Sequence, residues 1–365
     1  MKSTPKNRPI NVAILAFETW AAIPIIGPMD ILNNSCALWR EKRGKGSHDA
    51  TFDIQLVSLK KGDIRFGDAV TVHPHASIST AKNPDMVLVP SLGDDVLESL
   101  ALQRGFIPWI KTCSAAGARL VSMCTGSFLL AESGVLDGRS ATTHWFYADL
   151  FRRSFPKVNL CPERMIVDEG SVITAGAATS FLDLILYLME LYCGREAAIL
   201  TAKVLLIEMG RHTQLPYTIF SGRKMHDDKP ILRAQQFMET NLSREIAIEV
   251  LAKLVGMSVR NFDRRFRAAV DEAPSSYVQK LRIEKAKRLL ETTNAGIAEI
   301  MLQVGYEDER SFRRLFHVLT QLSPKGYRRR YGARAVETTP SAGRFLMRPR
   351  PTGSVLTYSV RPIQK

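Results

Sequence analysis

The stretch IEVLAKLVGMSVRNFDRRFRAAVDEAPSSY, residues 248–277, returns as IAEIMLQVGYEDERSFRRLFHVLTQLSPKGY at residues 297–327. Ile248, Leu251, Val255 and Gly256 match Ile297, Ile300, Val304 and Gly305 at an offset of 49. Phe262, Arg264, Phe266, Pro274 and Tyr277 match Phe312, Arg314, Phe316, Pro324 and Tyr327 at an offset of 50, so one residue has been added in the turn. Each copy reads as a helix, a glycine-centred turn and a second helix, the helix-turn-helix plan.

The second helix of each copy carries the chemistry. Phe262 and Phe266 stand four apart and share a face that must pack inward, which turns Arg260, Arg264 and Arg267 outward with Asp263 at the edge. In the other copy Phe312 and Phe316 point inward and Arg310, Arg313, Arg314 and His317 point outward. Ser258 and Asp308 are placed to cap the two helices. An arginine on an exposed helix can enter a major groove, read guanine through its fork of donors and grip phosphate. The segment YVQKLRIEKAKRLLET, residues 277–292, predicts a linking helix whose rise of about 1.5 Å per residue sets the two readers about one DNA turn apart. A single basic helix is better explained as part of a bundle with solvated charged faces. Two copies matched in phenylalanine, arginine, glycine and Pro…Tyr ending point instead to double-stranded DNA.

Working outward, the charge follows the repeat. The chain has 365 residues and a formal net charge of +14, yet residues 1–222 carry 22 basic and 21 acidic side chains while the remainder carries 28 and 15. A neutral domain joined to a polyanion-binding one gives that asymmetry. At this length, with 45% hydrophobic and 24% charged residues, the chain predicts two or three folded domains and excludes a peptide hormone or a predominantly disordered protein. Five cysteines, Cys36, Cys113, Cys124, Cys161 and Cys193, fall without CxxC or Cys/His spacing. Neither a disulfide framework nor a metal site is expected, nor any cofactor, and a reducing compartment fits best. The opening MKSTPKNRPINVAILAF has the outline of a signal peptide, but Glu18 interrupts its apolar run, and no stretch of about 18 uncharged apolar residues follows. The expectation is a cytoplasmic protein without a membrane partner.

Short β-branched runs recur in the first half: INVAILAF from Ile10, FDIQLVSL from Phe52, DMVLVPS from Asp85, ARLVSMC from Ala118 and MIVDEGSVITAG from Met165. Helix-period segments lie at 28–38, 96–116, 144–155 and 181–209. Continuous apolar strands separated by helices predict a parallel sheet covered on both faces, with 165–176 as a hairpin turning at Glu169-Gly170. The polar, proline-bearing stretch 211–229 reads as a linker between a domain at 9–210 and one at 230–331, and 332–365 as a mobile basic tail.

Within the first half, VSMCTGSFLLAESGVL puts Cys124 at the end of a strand, followed by a tight Thr125-Gly126 turn and a helix. Such an elbow exposes the apical side chain and aims amides and a helix N-terminus at it, which favours a thiolate. TTHW follows twenty residues later, bringing His144 and Trp145 within reach. A buried core cysteine is the plainer alternative.

The repeat resembles the AraC/XylS family of transcription regulators over about 230–331, most specifically in IAEIMLQVGYEDERSFRRLFHVLTQLSPKGYRRRY. That resemblance implies two helix-turn-helix subdomains reading successive major grooves, with base contacts at Arg260, Asp263 and Arg264 and at Arg310, Arg313 and Arg314. The first half, through GPMDIL at Gly27, CTGSFLLAESGVLDGRSATTHW and TAGAATSFLDLILYLME, resembles the ThiJ/PfpI branch of the class I glutamine amidotransferase-like superfamily. It implies a flavodoxin-like three-layer α/β sandwich, followed here by the all-α double helix-turn-helix domain. Together the two resemble a GlxA-type regulator.

Enzymatic relatives carry an acidic residue four positions before the PxD segment, where this chain has Pro24, and Glu18 lies too far upstream to replace it. The resemblance therefore implies a sensor, with Pro24, Cys124, Thr125, His144 and Trp145 around a small nitrogenous effector. Trp145 and Trp20 could offer a cation an aromatic face, but a lone tryptophan is more often core packing than a cage wall. The alternative is a cysteine-dependent hydrolase or glyoxalase-like enzyme tethered to DNA. A homodimer acting on an operator is the expected assembly.

Overall fold

The computed structural model describes residues 8–332 apart from positions 20, 44–50, 67, 69, 82, 94, 178, 223 and 225. Trp20 and the tail expected beyond Gly332 lie outside the described residues. The first half runs β1 (Ile10–Leu15), α1 (Ile23–Arg43), β2 (Phe52–Ser58), β3 (Ile64–Phe66), β4 (Val70–Val72), β5 (Ala76–Ser77), β6 (Met86–Val89), α2 (Val96–Gln103), α3 (Ile107–Ala115), β7 (Arg119–Met123), α4 (Gly126–Glu132), β8 (Ser140–Ala141), α5 (Ala148–Ser154), β9 (Asn159–Leu160), β10 (Ile166–Asp168), β11 (Val172–Ala175), α6 (Ser180–Cys193) and α7 (Arg195–Val204).

Seven strands form one sheet in the order β10-β11-β7-β6-β1-β2-β5. All neighbours pair in parallel except β10, which turns back on β11 as the expected hairpin. Alternation along the strands builds a core on each face. On β6, Met86 and Leu88 pack with Leu32, Trp39, Leu184 and Leu188 of α1 and α6, while Val87 and Val89 pack with Phe106, Ile110 and Phe128 on the opposite side. The result is the expected flavodoxin-like three-layer α/β sandwich.

The helices depart from expectation at their ends. α1 starts at Ile23, five residues before the expected position, because Pro24 falls in the first turn, where a missing N–H costs nothing. The stretch 96–116 splits into α2 and α3 around the 3₁₀ turn Arg104–Phe106, with Pro108 opening α3. Gly194, at φ +88°, breaks 181–209 into α6 and α7.

The second half is helical throughout: α8 (Lys229–Thr240), α9 (Ile248–Leu254), α10 (Val259–Val270), α11 (Pro274–Thr292), α12 (Ile297–Gln303), α13 (Glu309–Thr320) and α14 (Pro324–Tyr331). It has two cores, and α11 serves both. Tyr277, Val278 and Leu281 join Phe262 and Phe266 in the first, and Ile283, Ala286 and Leu290 join Phe312 and Phe316 in the second.

Residues 211–229, expected as a solvated linker, are in part built into both halves. Arg211 forms an ion pair with the buried Asp183 at 2.5 Å, and Gln214 is wholly buried against the first half. Three residues on, the Arg330 guanidinium stacks on the Tyr217 ring with its centroid 4.9 Å away. The Phe220 ring packs on Tyr277 at 5.4 Å. Below it, Glu284 and Lys287 of α11 form a buried ion pair at 2.7 Å. Glu284 accepts the Phe220 N–H at 3.2 Å, and Lys287 donates to the Thr218 carbonyl. Two buried charges are thereby satisfied by the backbone of a stretch whose composition looks like loop.

Candidate ligand pocket and nucleic-acid interface

Parallel strands place the chain segments after β1, β6, β7 and β11 along one edge of the sheet. The strand order reverses between β1 and β6, and in open α/β sheets ligands bind beyond the carboxyl ends at such a switch point. Pro24 follows β1, Ser91 follows β6, Cys124 follows β7 and Gly176 follows β11.

Cys124 is the strained apex, at φ +54° and 6% exposed. Its N–H donates to the Ala175 carbonyl at 2.9 Å. Its own carbonyl accepts the Ser127 hydroxyl at 3.0 Å and the Thr143 hydroxyl at 3.2 Å. A non-glycine residue held in the left-handed region costs about 1–3 kcal/mol and persists only where surroundings impose it. Gly126 is obligatory next to it, since a Cβ there would lie 2.4 Å from the Pro90 carbonyl. Thr125 differs from its expected role. Its side chain is fully buried, accepting the Leu92 N–H and pairing with the Ser91 hydroxyl, each at 2.9 Å, so it braces the elbow and has no side-chain atom to offer a ligand.

Thr143 carries the next segment onto the elbow and so brings His144 and Trp145 to the same edge. His144 Nδ1 accepts the Phe146 N–H at 3.1 Å, which assigns the ring proton to Nε2 in the neutral form. Burial lowers its pKa from 6.5. His144, Trp145, Phe146 and Tyr147 form a chain of ring contacts with centroids 5.2–5.8 Å apart for consecutive pairs, and Phe146 is 67% exposed. Pro24 is half-buried in the first turn of α1, and Glu18 is exposed.

Sequence reasoning missed Gln214. Its Oε1 accepts the Trp145 N–H at 3.3 Å and the Ala177 N–H at 3.1 Å. Its Nε2 is shared among the carbonyls of Thr143, Pro162 and Arg164 and the Thr142 hydroxyl at 2.8–3.2 Å. One amide thus joins three segments around the site. Its partners lie 37–72 residues away in sequence, so no local pattern marks it. Phe146 and Tyr147 were missed as well, although the aromatic run HWFY was the available signal. Among the described residues no group of three or more His, Cys, Asp or Glu side chains gathers as metal ligands would, and no helix is long and apolar enough to cross a membrane.

In the second half α10 and α13 are built alike. Ser258 caps α10 by accepting the Asn261 N–H at 3.3 Å, and Asp308 caps α13 by accepting the Ser311 N–H at 2.7 Å. Asp271 and Gln321 close the two helices in the left-handed conformation. Gly256 and Gly305, at φ +68° and +83°, form the preceding turns. Both phenylalanine pairs are fully buried. Arg260, Arg264, Arg267, Arg310, Arg313, Arg314 and His317 are exposed, with Asp263 half-buried. Asp263 holds Arg267 at 2.9 Å, Glu309 holds Arg313 at 2.6 Å and Asn261 accepts from Arg264 at 2.9 Å. The repeat extends to the helices behind. Tyr277 and Tyr327 each pack edge-on to the second phenylalanine at 5.5 Å, and their hydroxyls donate to Glu239 and Glu291.

A model of the DJ-1/PfpI family matches residues 10–191, and one of the helix-turn-helix domain matches residues 251–330. The HTH-type transcriptional regulator CdhR of Pseudomonas aeruginosa is 26% identical over 294 residues, 80% of this chain and 86% of the relative. The HTH-type transcriptional regulator GlxA of Rhizobium meliloti is 28% identical, over 61% of this chain and 69% of the relative. Isonitrile hydratase of Pseudomonas putida is 32% identical over 190 residues, 52% of this chain and 75% of the relative. The chain belongs to the DJ-1/PfpI family and joins that domain to an AraC-type helix-turn-helix domain, the two-part plan of GlxA-type transcriptional regulators.

Proposed function

We propose that the protein is a sequence-specific DNA-binding transcription regulator, with α10 and α13 entering successive major grooves and the elbow site taking a small nitrogenous metabolite. The observation that carries this reading is the duplicated reader, two capped helices with matched buried phenylalanines and outward arginines, joined through α11. That helix has 19 residues. At about 1.5 Å per residue its length approaches the roughly 34 Å of a DNA turn. Arg260, Asp263, Arg264 and Arg267 contact one groove, and Arg310, Arg313, Arg314 and His317 the next. The test is binding to the operator by Arg260→Ala/Arg264→Ala and Arg310→Ala/Arg314→Ala. Each pair should lose about 1–3 kcal/mol per bidentate base contact and its preference for one half of the site. Unchanged discrimination in both would refute the assignment.

Pro24, Cys124, His144 and Trp145 surround the effector, whose positive charge faces the aromatic chain from His144 to Tyr147. Coupling runs through residues 211–220. Gln214 holds the 142–145 and 176–177 segments, and Tyr217, Thr218 and Phe220 hold α11 and α14. An effector that shifts the first contacts must act on the second, and DNA must act back on effector affinity to the same extent. The protein works as a cytoplasmic homodimer on its operator.

A second reading, a Cys124-dependent enzyme tethered to DNA, draws on the isonitrile hydratase relative and the retained elbow. Pro24 in place of the acid counts against it. The regulator reading therefore entails no catalysis at Cys124.

A further inference from the structure

Two cysteines unconnected with the elbow meet where α1 packs on α6. Cys36 lies in the middle of α1 and is 4% exposed, with Trp39 and Tyr192 in the same core. Its thiol is in hydrogen-bond contact with that of Cys193, the last residue of α6. Cys193 is half-buried, and the chain leaves the helix there through Gly194 at φ +88°. Its position at a helix end gives the side chain freedom to close from contact to a bond of about 2.0 Å. None of the five cysteines is in a disulfide.

The surroundings make one of the two sulfurs acidic. The Cys193 hydrogen bond, assisted by the Phe52 backbone and the Arg40 charge, holds the Cys36 thiol below its ordinary pKa in spite of burial. Cys113 shows the contrast, with burial alone pushing its thiol up to about 11. Cys161 is also raised, by burial and then by Glu163. A thiol held below its ordinary pKa next to a second, half-buried sulfur favours oxidation to a disulfide.

We propose that Cys36 and Cys193 form a reversible disulfide when the protein meets a hydroperoxide, making the α1–α6 contact a redox-modified site. Cys36, the acidified sulfur, attacks the peroxide. An S–O bond forms, the O–O bond breaks, and the departing hydroxide takes the thiol proton and leaves as water. Cys193 then attacks the sulfenic sulfur. The S–S bond forms, the S–O bond breaks, and the Cys193 proton leaves with the second hydroxide as water. Two thiols lose two electrons, and one hydrogen peroxide is reduced to two waters. A dithiol reverses the change by exchange. Pro24 lies in the first turn of α1, and α6 begins four residues after Gly176, so the bond pins together two helices whose N-terminal ends border the elbow.

The experiment treats the full-length protein with a few equivalents of hydrogen peroxide, blocks remaining thiols by alkylation after denaturation, and maps peptides without reduction. The expected product is a Cys36–Cys193 peptide pair two hydrogens lighter than its parts, cleaved by dithiothreitol, absent in Cys193→Ser and still formed in a Cys124→Ala background. The oxidised protein should melt at a higher temperature than the reduced one. Cys193→Ser alters a half-buried helix end, so it serves even if Cys36→Ser fails to fold. Recovery of Cys36 and Cys193 alkylated after peroxide, of Cys193 as a sulfinic acid beside alkylated Cys36, or of cross-links to other cysteines instead would overturn the proposal.

Discussion

Gly176 leaves the space that Gln214 fills: a Cβ on Gly176 would lie 2.4 Å from the Gln214 amide carbon. Gly176→Ala should therefore expel the amide and orphan the buried groups it serves, among them the Trp145 and Ala177 N–H groups. Each such group costs about 1–3 kcal/mol. A total of about 2–4 kcal/mol should appear in urea unfolding, for Gln214→Ala as well as for Gly176→Ala. A Gly176→Ala protein as stable as wild type would mean that the amide is not seated there.

Residues 217–228 should behave as part of the DNA-binding half. A fragment from 229 to 332 loses the Phe220 ring from Tyr277 and the two backbone groups that serve Glu284 and Lys287. A fragment from 213 to 332 keeps them. The longer one should be more stable by about 2–4 kcal/mol, from roughly one partly buried aromatic ring and two charge-assisted hydrogen bonds. Equal denaturation midpoints would show that these contacts are dispensable.

How far the sequence disclosed all this depended on the distance between partners. The reader helices were legible because Phe262 and Phe266, or Phe312 and Phe316, state their face within one turn, and the repeat states it twice. The parallel sheet was legible because strands buried on both faces read as unbroken apolar runs. The elbow was legible as strand, Cys124, glycine and helix in direct succession. Gln214 was hidden, since a single glutamine in a polar run carries no period and its contacts come from Thr142, Trp145, Pro162 and Ala177. The same holds for Glu284 and Lys287, which look like an ordinary exposed helix pair until Thr218 and Phe220 cover them. Thr125 misled in the opposite direction, because adjacency to the apex does not reveal that its hydroxyl turns toward Ser91.

His144 gives a pH signature. Burial lowers its folded pKa below the ordinary 6.5, so the unfolded chain takes up the proton first as the pH falls. Its contribution is fully present above about 6.5 and is lost as the pH drops from there toward the folded value. Stability measured between pH 7.5 and about 5 should decline on the acid side. His144→Asn should flatten that part of the decline, and an identical slope in the variant would remove His144 as its source.

At Cys124 the two readings of the first half diverge. With Pro24 in the acid's position, purified protein should turn over isonitriles, amides and α-oxoaldehydes no faster than buffer. Cys124→Ala should keep DNA binding, and Cys124→Trp should abolish the response to the effector by filling the site. Turnover that vanishes in Cys124→Ala would establish the enzyme instead.

Base reading by α10 and α13 is measured most directly by selection of bound duplexes from a random pool by the full-length protein. Two readers at the ends of α11 predict two short enriched blocks centred about 10–10.5 base pairs apart. Arg264→Ala should erase one block and Arg314→Ala the other. A pool that gains no sequence preference, or a single block insensitive to either change, would show that α10 and α13 do not read successive grooves.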